Sequence, residues 1–147
     1  MAKPPMFDTN VIISGAYDTF IGLLAGYFMS AVVVQELLVG KDPEAQRTIL
    51  SIANQLERRE LLVVPTKEDW YEVGKQLARL MSGEAGNHKL SKQEVSTLVK
   101  DALIARTAMR MDAVLVTDNT GDFAKIKTVF RSLVFKSPSE YFGVRPR

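Results

Sequence analysis

Met6-Phe7-Asp8-Thr9-Asn10-Val11-Ile12-Ile13 is an apolar pair that runs into an aspartate and then a polar turn. The pattern predicts a short buried strand ending near Asp8, followed by a turn or helix. The same succession recurs downstream. Asp18 to Gly26 reads as a short helix closed by glycine, and Tyr27-Phe28-Met29 as a second strand. Ser30 is a candidate N-cap for a helix reaching Gly40, although its β-branched run is also compatible with a strand.

Asp42-Pro43 is an N-cap with proline at the first helical position. Ile49, Ile52, Ala53 and Leu56 then fall at helical spacing up to Arg58-Arg59. Leu61 to Val64 reads as a buried strand, and Thr66 with Asp69 as a capping box for a helix through Trp70, Val73, Leu77 and Leu80. A glycine-flanked loop, Gly83 to Asn87, precedes Ser91 and Glu94, a second capping box opening a long helix to about Met111. Ala113 to Thr117 is a buried strand. A Gly121-Asp122 turn with a short helix, a strand near Leu133 to Phe135 and a final turn led by Pro138 complete the chain. Strands that alternate with helices need crossover connections, so the expected class is a three-layer α/β/α fold with a central, mainly parallel sheet. At 147 residues, with no repeat or linker, the chain is expected to form one domain spanning 1–147.

Composition narrows the function. Hydrophobic residues make up 46% and charged residues 24%, as in a soluble globular protein. Nineteen Lys and Arg against seventeen Asp and Glu leave a formal charge of +2, too mild for non-specific coating of nucleic acid. The chain has no cysteine, which excludes disulfides, thiolate nucleophiles and cysteine metal sites and fits a reducing cytoplasm. A single histidine, His88, excludes a His-rich metal site. No apolar run approaches the ~20 residues of a membrane span, and no signal-peptide pattern opens the chain, so the expected location is cytoplasmic.

The informative residues are acids. Glu36, if helical, has Val32, Val33, Val39 and Gly40 as its neighbours one turn away, and therefore points inward. Asp101 lies mid-helix among Thr97, Leu98, Ile104 and Ala105, a poor place for an aspartate. Asp8 ends the first strand, and Asp118 and Asp122 follow the strand ending at Thr117. Taken singly, Asp8 reads equally as an N-cap and Asp122 as a turn residue. Taken together, they collect at the carboxyl edge of a parallel sheet, where open α/β folds bind ligands. Two carboxylates about 4 Å apart repel by about 4 kcal/mol at an effective dielectric near 20, so the group must protonate or hold a cation. Lys100 and Arg106 flank Asp101 but are expected on other helix faces. Oxygen-only ligands select Mg²⁺ or Mn²⁺, and such a site suits phosphodiester hydrolysis: the ion neutralises phosphate charge, activates water and stabilises the leaving oxyanion.

Other phosphate chemistries fail on particular residues. The place of a dinucleotide-binding G-x-G-x-x-G holds Asp8 to Ile13, no P-loop is present, and Asn10 breaks a D-x-D phosphatase start. Four blocks, Met6 to Ile12, Ser30 to Gly40, Asp101 to Ala108 and Leu115 to Phe123, resemble in order and spacing the PIN-domain ribonucleases, especially VapC-type toxins of toxin–antitoxin pairs. The resemblance implies that Asp8, Glu36, Asp101 and Asp122 hold Mg²⁺ or Mn²⁺, supported by Thr9, Asn10, Thr117 and Asn119. Asp118 departs from the common pattern, and is an alternative or additional fourth acid. The resemblance further implies an RNA substrate, a homodimer and a cognate antitoxin. A non-catalytic RNA- or protein-binding module and an RNA-processing nuclease that is not a toxin are the alternatives.

Several residues read as structural. His88 is expected to be a solvated loop residue, Arg145 and Arg147 a frayed tail, and Met109 and Met111 the packed end of a helix. Trp70 is expected in the core or a dimer contact rather than stacked on a base. Lys100, Arg106, Lys125 and Lys127 are either solvated or phosphate-binding.

Overall fold

A computed structural model describes residues 3–86 and 89–144, so the expectations for His88, Arg145 and Arg147 lie outside the described residues. The elements follow in the order β1 (Met6–Phe7), α1 (Thr9–Ser14), α2 (Asp18–Gly22), β2 (Met29–Ser30), α3 (Ala31–Leu38), α4 (Pro43–Arg58), β3 (Leu62–Val63), α5 (Lys67–Ser82), α6 (Lys92–Arg110), β4 (Leu115–Val116), α7 (Thr120–Lys127), β5 (Phe135–Lys136) and α8 (Pro138–Phe142). Strands β1, β4 and β5 form one parallel sheet with β4 in the centre, and β2 pairs with β3 in parallel. A parallel bridge between Met6 and Phe28 joins the two sheets edge to edge, giving the order β3-β2-β1-β4-β5.

Alternation along β1 and β4 creates the layers. Met6 and Leu115 face a large core shared with α3, α5, α6 and α7, which includes Val33, Leu77, Leu103, Ile104 and Phe123. Phe7 and Val116 face the other way, onto Val11, Tyr17 and the aromatic pair Tyr141 and Phe142. Because successive strand residues point to opposite faces, two cores on either side of one sheet make a three-layer α/β/α fold. Phe142 stacks against Phe7, Tyr17 and Phe20, and so ties α8 to β1 and α2 beneath the sheet.

The capping signals act as predicted. The Ser30, Asp42, Thr66 and Ser91 side chains all accept backbone N–H groups at helix starts, and Thr66 with Asp69 and Ser91 with Glu94 form reciprocal boxes. Met109 and Met111 pack against the core as expected.

Other expectations are corrected. The second helix stops at Gly22, not Gly26, and Gly26 serves close packing instead: a Cβ there would lie 2.9 Å from Leu61 Cδ1 and 3.1 Å from Arg59 Nη2. Helix α3 ends at Leu38, so Val39 is extended and exposed rather than a helical neighbour of Glu36. Gly121 and Asp122 lie within α7 instead of forming a turn. Trp70 is 53% exposed on the first turn of α5 and is not a core residue.

Candidate active site

Parallel pairing in register places Phe7 beside Val116, so the next residues, Asp8 and Thr117, are neighbours at the carboxyl edge of the sheet. Asp8 N–H donates to Val116 O at 3.0 Å, and from there the chain turns into α1. Asp8 caps that helix by accepting Thr9 N–H at 2.8 Å. Its other oxygen accepts Thr117 Oγ1 at 2.7 Å and Asn10 Nδ2 at 3.2 Å. Asn10 in turn accepts Asp118 N–H at 3.1 Å, which stitches the start of α1 to the end of β4. The N-cap role and a place in an acidic cleft are thus compatible in one residue.

The other acids arrive from different elements. Glu36 projects from α3 and accepts Thr9 Oγ1 at 3.3 Å. Asp101 sits at the middle of α6, half-buried. Asn119, whose N–H is held by Thr117 Oγ1 at 3.0 Å, donates from its amide to Asp101 at 3.2 Å and to Asp122 at 3.1 Å. Asp122, on the first turn of α7, therefore stands beside Asp101, with Lys125 Nζ at 4.0 Å on its other side. The resulting cleft, about 540 Å³, is lined by Asp8, Thr9, Asn10, Glu36, Asp101 and Asn119 of the expected residues, joined by Ile13, Ser14, Thr97 and Lys100. Asp118 is exposed and, like Asp122 and Thr117, outside the lining, although its charge bears on Asp8.

Electrostatics mark the cleft as short of positive charge. Burial is the largest influence raising the pKa of Asp8, and it outweighs the three hydrogen bonds that oppose it. Glu36 is raised by burial and by Asp8, with the Thr9 hydroxyl and Lys100 pulling the other way. Asp101 is pushed up to about 7 by burial first, and then by Asp8, Glu36 and Asp122. Carboxylates that raise one another in this way are stabilised by a bound cation.

The donor set fits a hard divalent ion, being made of carboxylate oxygens with amide and hydroxyl groups around them. Among the described residues no group of three or more acidic or histidine side chains is gathered closely enough to hold a metal ion as the side chains stand. An open cleft of this kind leaves room for an ion that keeps waters of its own.

Lys100 is the cleft residue whose placement differs from expectation, because it lines the site instead of pointing elsewhere. Neighbouring helix positions are 100° apart, but Thr97, Lys100 and Asp101 are related by three- and four-residue spacing, and a lysine stem is long enough to bridge the remaining angle. That spacing was the available signal. Arg106 does face away as expected, pairing with buried Asp69 at 3.1 Å.

An α/β/α domain with an acidic cleft at the carboxyl edge of a parallel sheet is the class that this geometry defines. A family model for the PIN domain matches residues 6–129, and the chain belongs to the PIN-domain family. Solved structures share the fold. VapBC2 from Rickettsia felis bound to a DNA fragment from their promoter is similar at 23% identity, covering 92% of this chain and 98% of that one, with a TM-score of 0.61. VapBC-1 from nontypeable Haemophilus influenzae is similar at 20% identity over 92% and 98% of the two chains, with a TM-score of 0.58. DNA-bound VapBC from Salmonella typhimurium is similar at 18% identity over 93% and 98%, with a TM-score of 0.59. A comparison with curated protein sequences gave no match. Among the described residues no helix is long and apolar enough to cross a membrane.

Proposed function

We propose that this chain is a divalent-metal-dependent endoribonuclease and the toxin half of a toxin–antitoxin pair. The observation that carries the activity is the convergence of Asp8, Glu36 and Asp101 on one cleft, with Asp122 held beside Asp101 by Asn119. The toxin reading draws support from fold neighbours that are VapBC complexes and that align over nearly their whole length. On this reading the cleft takes Mg²⁺ or Mn²⁺, the fourth acid is Asp122 rather than Asp118, and the protein acts as a cytoplasmic homodimer with a cognate antitoxin.

Asp8, Glu36, Asp101 and Asp122 would hold the ion. When bound, it would neutralise phosphate charge, activate water and stabilise the departing oxygen. The chain's own groups do the positioning. Thr117 and Asn10 hold Asp8 in one rotamer, Thr9 orients Glu36, and Asn119 fixes the spacing of Asp101 and Asp122. Such restraint matters because an Å-scale displacement of a reacting group costs orders of magnitude in rate.

Purified protein tested on a panel of fluorescent single-stranded RNAs with Mn²⁺, Mg²⁺ or EDTA, beside Asp8→Asn and Asp101→Asn, checks this reading. Cleavage by the wild type only with metal, and none by the folded variants, supports it. Cleavage that survives in both variants or in EDTA places the activity elsewhere. A folded, metal-binding wild type that cuts nothing favours a binding module.

A further inference from the structure

We propose that Lys100 grips an RNA phosphate at the mouth of the acidic cleft, a role that rests on the nuclease reading above. Lys100 precedes Asp101 on α6 and lines the cleft with Thr97 from the previous turn and with Ile13 and Ser14 at the end of α1. It is the one Lys or Arg among the lining residues, against three carboxylates. Lys100 is exposed and forms no ion pair among the described residues.

The other cations that the sequence places nearby are committed. Arg106 pairs with Asp69, Lys127 donates to the Arg131 and Leu133 carbonyls, and Lys125 lies 4.0 Å from Asp122. The positive charge of Lys100 is felt by Glu36, whose carboxyl it holds back from a larger rise.

An acidic cleft repels a polyanion. A divalent ion offsets that repulsion only for the phosphate it contacts, so the flanking nucleotide needs a cation of its own. An ammonium on a flexible four-carbon stem suits this task, because it can swing toward an arriving phosphate without disturbing the backbone. Lys100 is thus a substrate-binding group that sets how the strand enters, one residue away from a proposed metal ligand.

The experiment is binding of a fluorescein-labelled single-stranded RNA of mixed sequence, followed by anisotropy across a KCl series. It uses the cleavage-silent Asp101→Asn protein as parent, with Lys100→Ala, Lys100→Gln and Lys100→Arg added. The neutral variants are expected to weaken binding ~5–10-fold at low salt and to lower the log–log salt slope by about 0.7, the share of one phosphate on a single strand, while Lys100→Arg retains the slope. In protein with Asp101 intact and Mn²⁺ present, the loss falls on KM rather than kcat. Neutral variants that keep the parent's affinity and salt slope overturn the proposal, whatever happens to thermal stability. Weakening that is equal at every salt concentration does so too, since it marks a structural role. If protein with Asp101 intact cuts RNA while the Lys100 variants bind like their parent, only the Lys100 role falls. If the parent binds no RNA and the wild type cuts none, the nuclease reading falls with it.

Discussion

Asp101→Asn should make the metal-free protein more stable at pH 8, although it removes a charged residue from a proposed active site. Asp101 is held near pKa 7, against an ordinary 3.8, by burial and by the charges of Asp8, Glu36 and Asp122. A carboxyl that binds its proton more tightly when folded costs stability as it ionises: stability falls as the pH rises from about 4 to about 7 and then levels. Each pKa unit corresponds to about 1.36 kcal/mol, so the full interval is worth roughly 4 kcal/mol. Asp101 is half-buried, and solvent screening reduces that to about 2 kcal/mol. For a chain of this length this is a rise of about 4–8 °C in Tm. The substitution is clean because asparagine keeps an oxygen for the Asn119 amide, now 3.2 Å from Asp101. Thermal melts in EDTA at pH 5 and pH 8 give the test: the wild type should lose stability between the two, and Asp101→Asn should lose less. Saturating Mn²⁺ should reverse the ranking, because an ion at 100 times its Kd adds about 2.7 kcal/mol to a protein that binds it and little to one lacking a ligand. A variant less stable than the wild type in EDTA at pH 8, with a flat wild-type profile, would refute the idea that the acids crowd one another.

Asp69 is fully buried between Arg106 at 3.1 Å and Arg110 at 3.0 Å, and Asp69→Ala should cost ~3–5 kcal/mol in urea unfolding, since two guanidinium groups lose their partner. Burial pushes the Asp69 pKa up, but the Thr66 N–H and the two arginines outweigh it and hold the carboxyl below its ordinary value, so its contribution is complete above about pH 4 and is lost as acid titration passes through the folded pKa. Thr117→Val removes the donor 2.7 Å from Asp8 and leaves Asn119 N–H unmatched; kcat/KM in the RNA assay should fall ~10-fold, and the acidic limb of its pH profile should move upward as the Asp8 pKa rises further. Ser91→Ala breaks the capping box of α6 and should lower stability by about 1 kcal/mol in urea unfolding, with KM unchanged.

The helices were legible because their starts carry local chemistry. Ser30, Asp42-Pro43, Thr66 with Asp69, and Ser91 with Glu94 each cap within three residues, and no tertiary contact is needed to recognise them. Helix ends were less legible. α2 ends at Gly22 although an apolar run continues to Gly26, where Leu61 and Arg59 crowd the backbone from the distant α4–β3 corner. Long-range pairs were invisible for the same reason: Asp69 announced itself as a capping residue, while its two arginines lie 37 and 41 residues away. Lys100 was misplaced because helix-face reasoning treats a side chain as a direction, whereas lysine covers a wide arc from a fixed Cβ.

The acids of the cleft were legible for a different reason. Glu36 and Asp101 stand out among apolar neighbours, Asp8 and Asp122 sit where a local role also suits them, and the full cost of all four appears only in the assembled fold. Asp8 is a sound N-cap for α1, and Asp122 suits the first turn of α7, where the helix dipole favours an acid. The strain arises only when parallel pairing of β1 with β4 brings both helix starts to one edge, and α3 and α6 deliver Glu36 and Asp101 to the same cleft. The rise of Asp101 to about 7 is the electrostatic consequence of that assembly. A fold selected for stability alone would gain by neutralising Asp101, since its carboxylate caps no helix and closes no ion pair among the described residues. Three hydrogen bonds hold Asp8 and one amide spans Asp101 and Asp122, so the chain spends polar contacts on keeping mutually repelling acids in place. That arrangement has a physical rationale when a divalent cation and a phosphate enter together, because the ion turns the repulsion among the acids into the affinity that holds it.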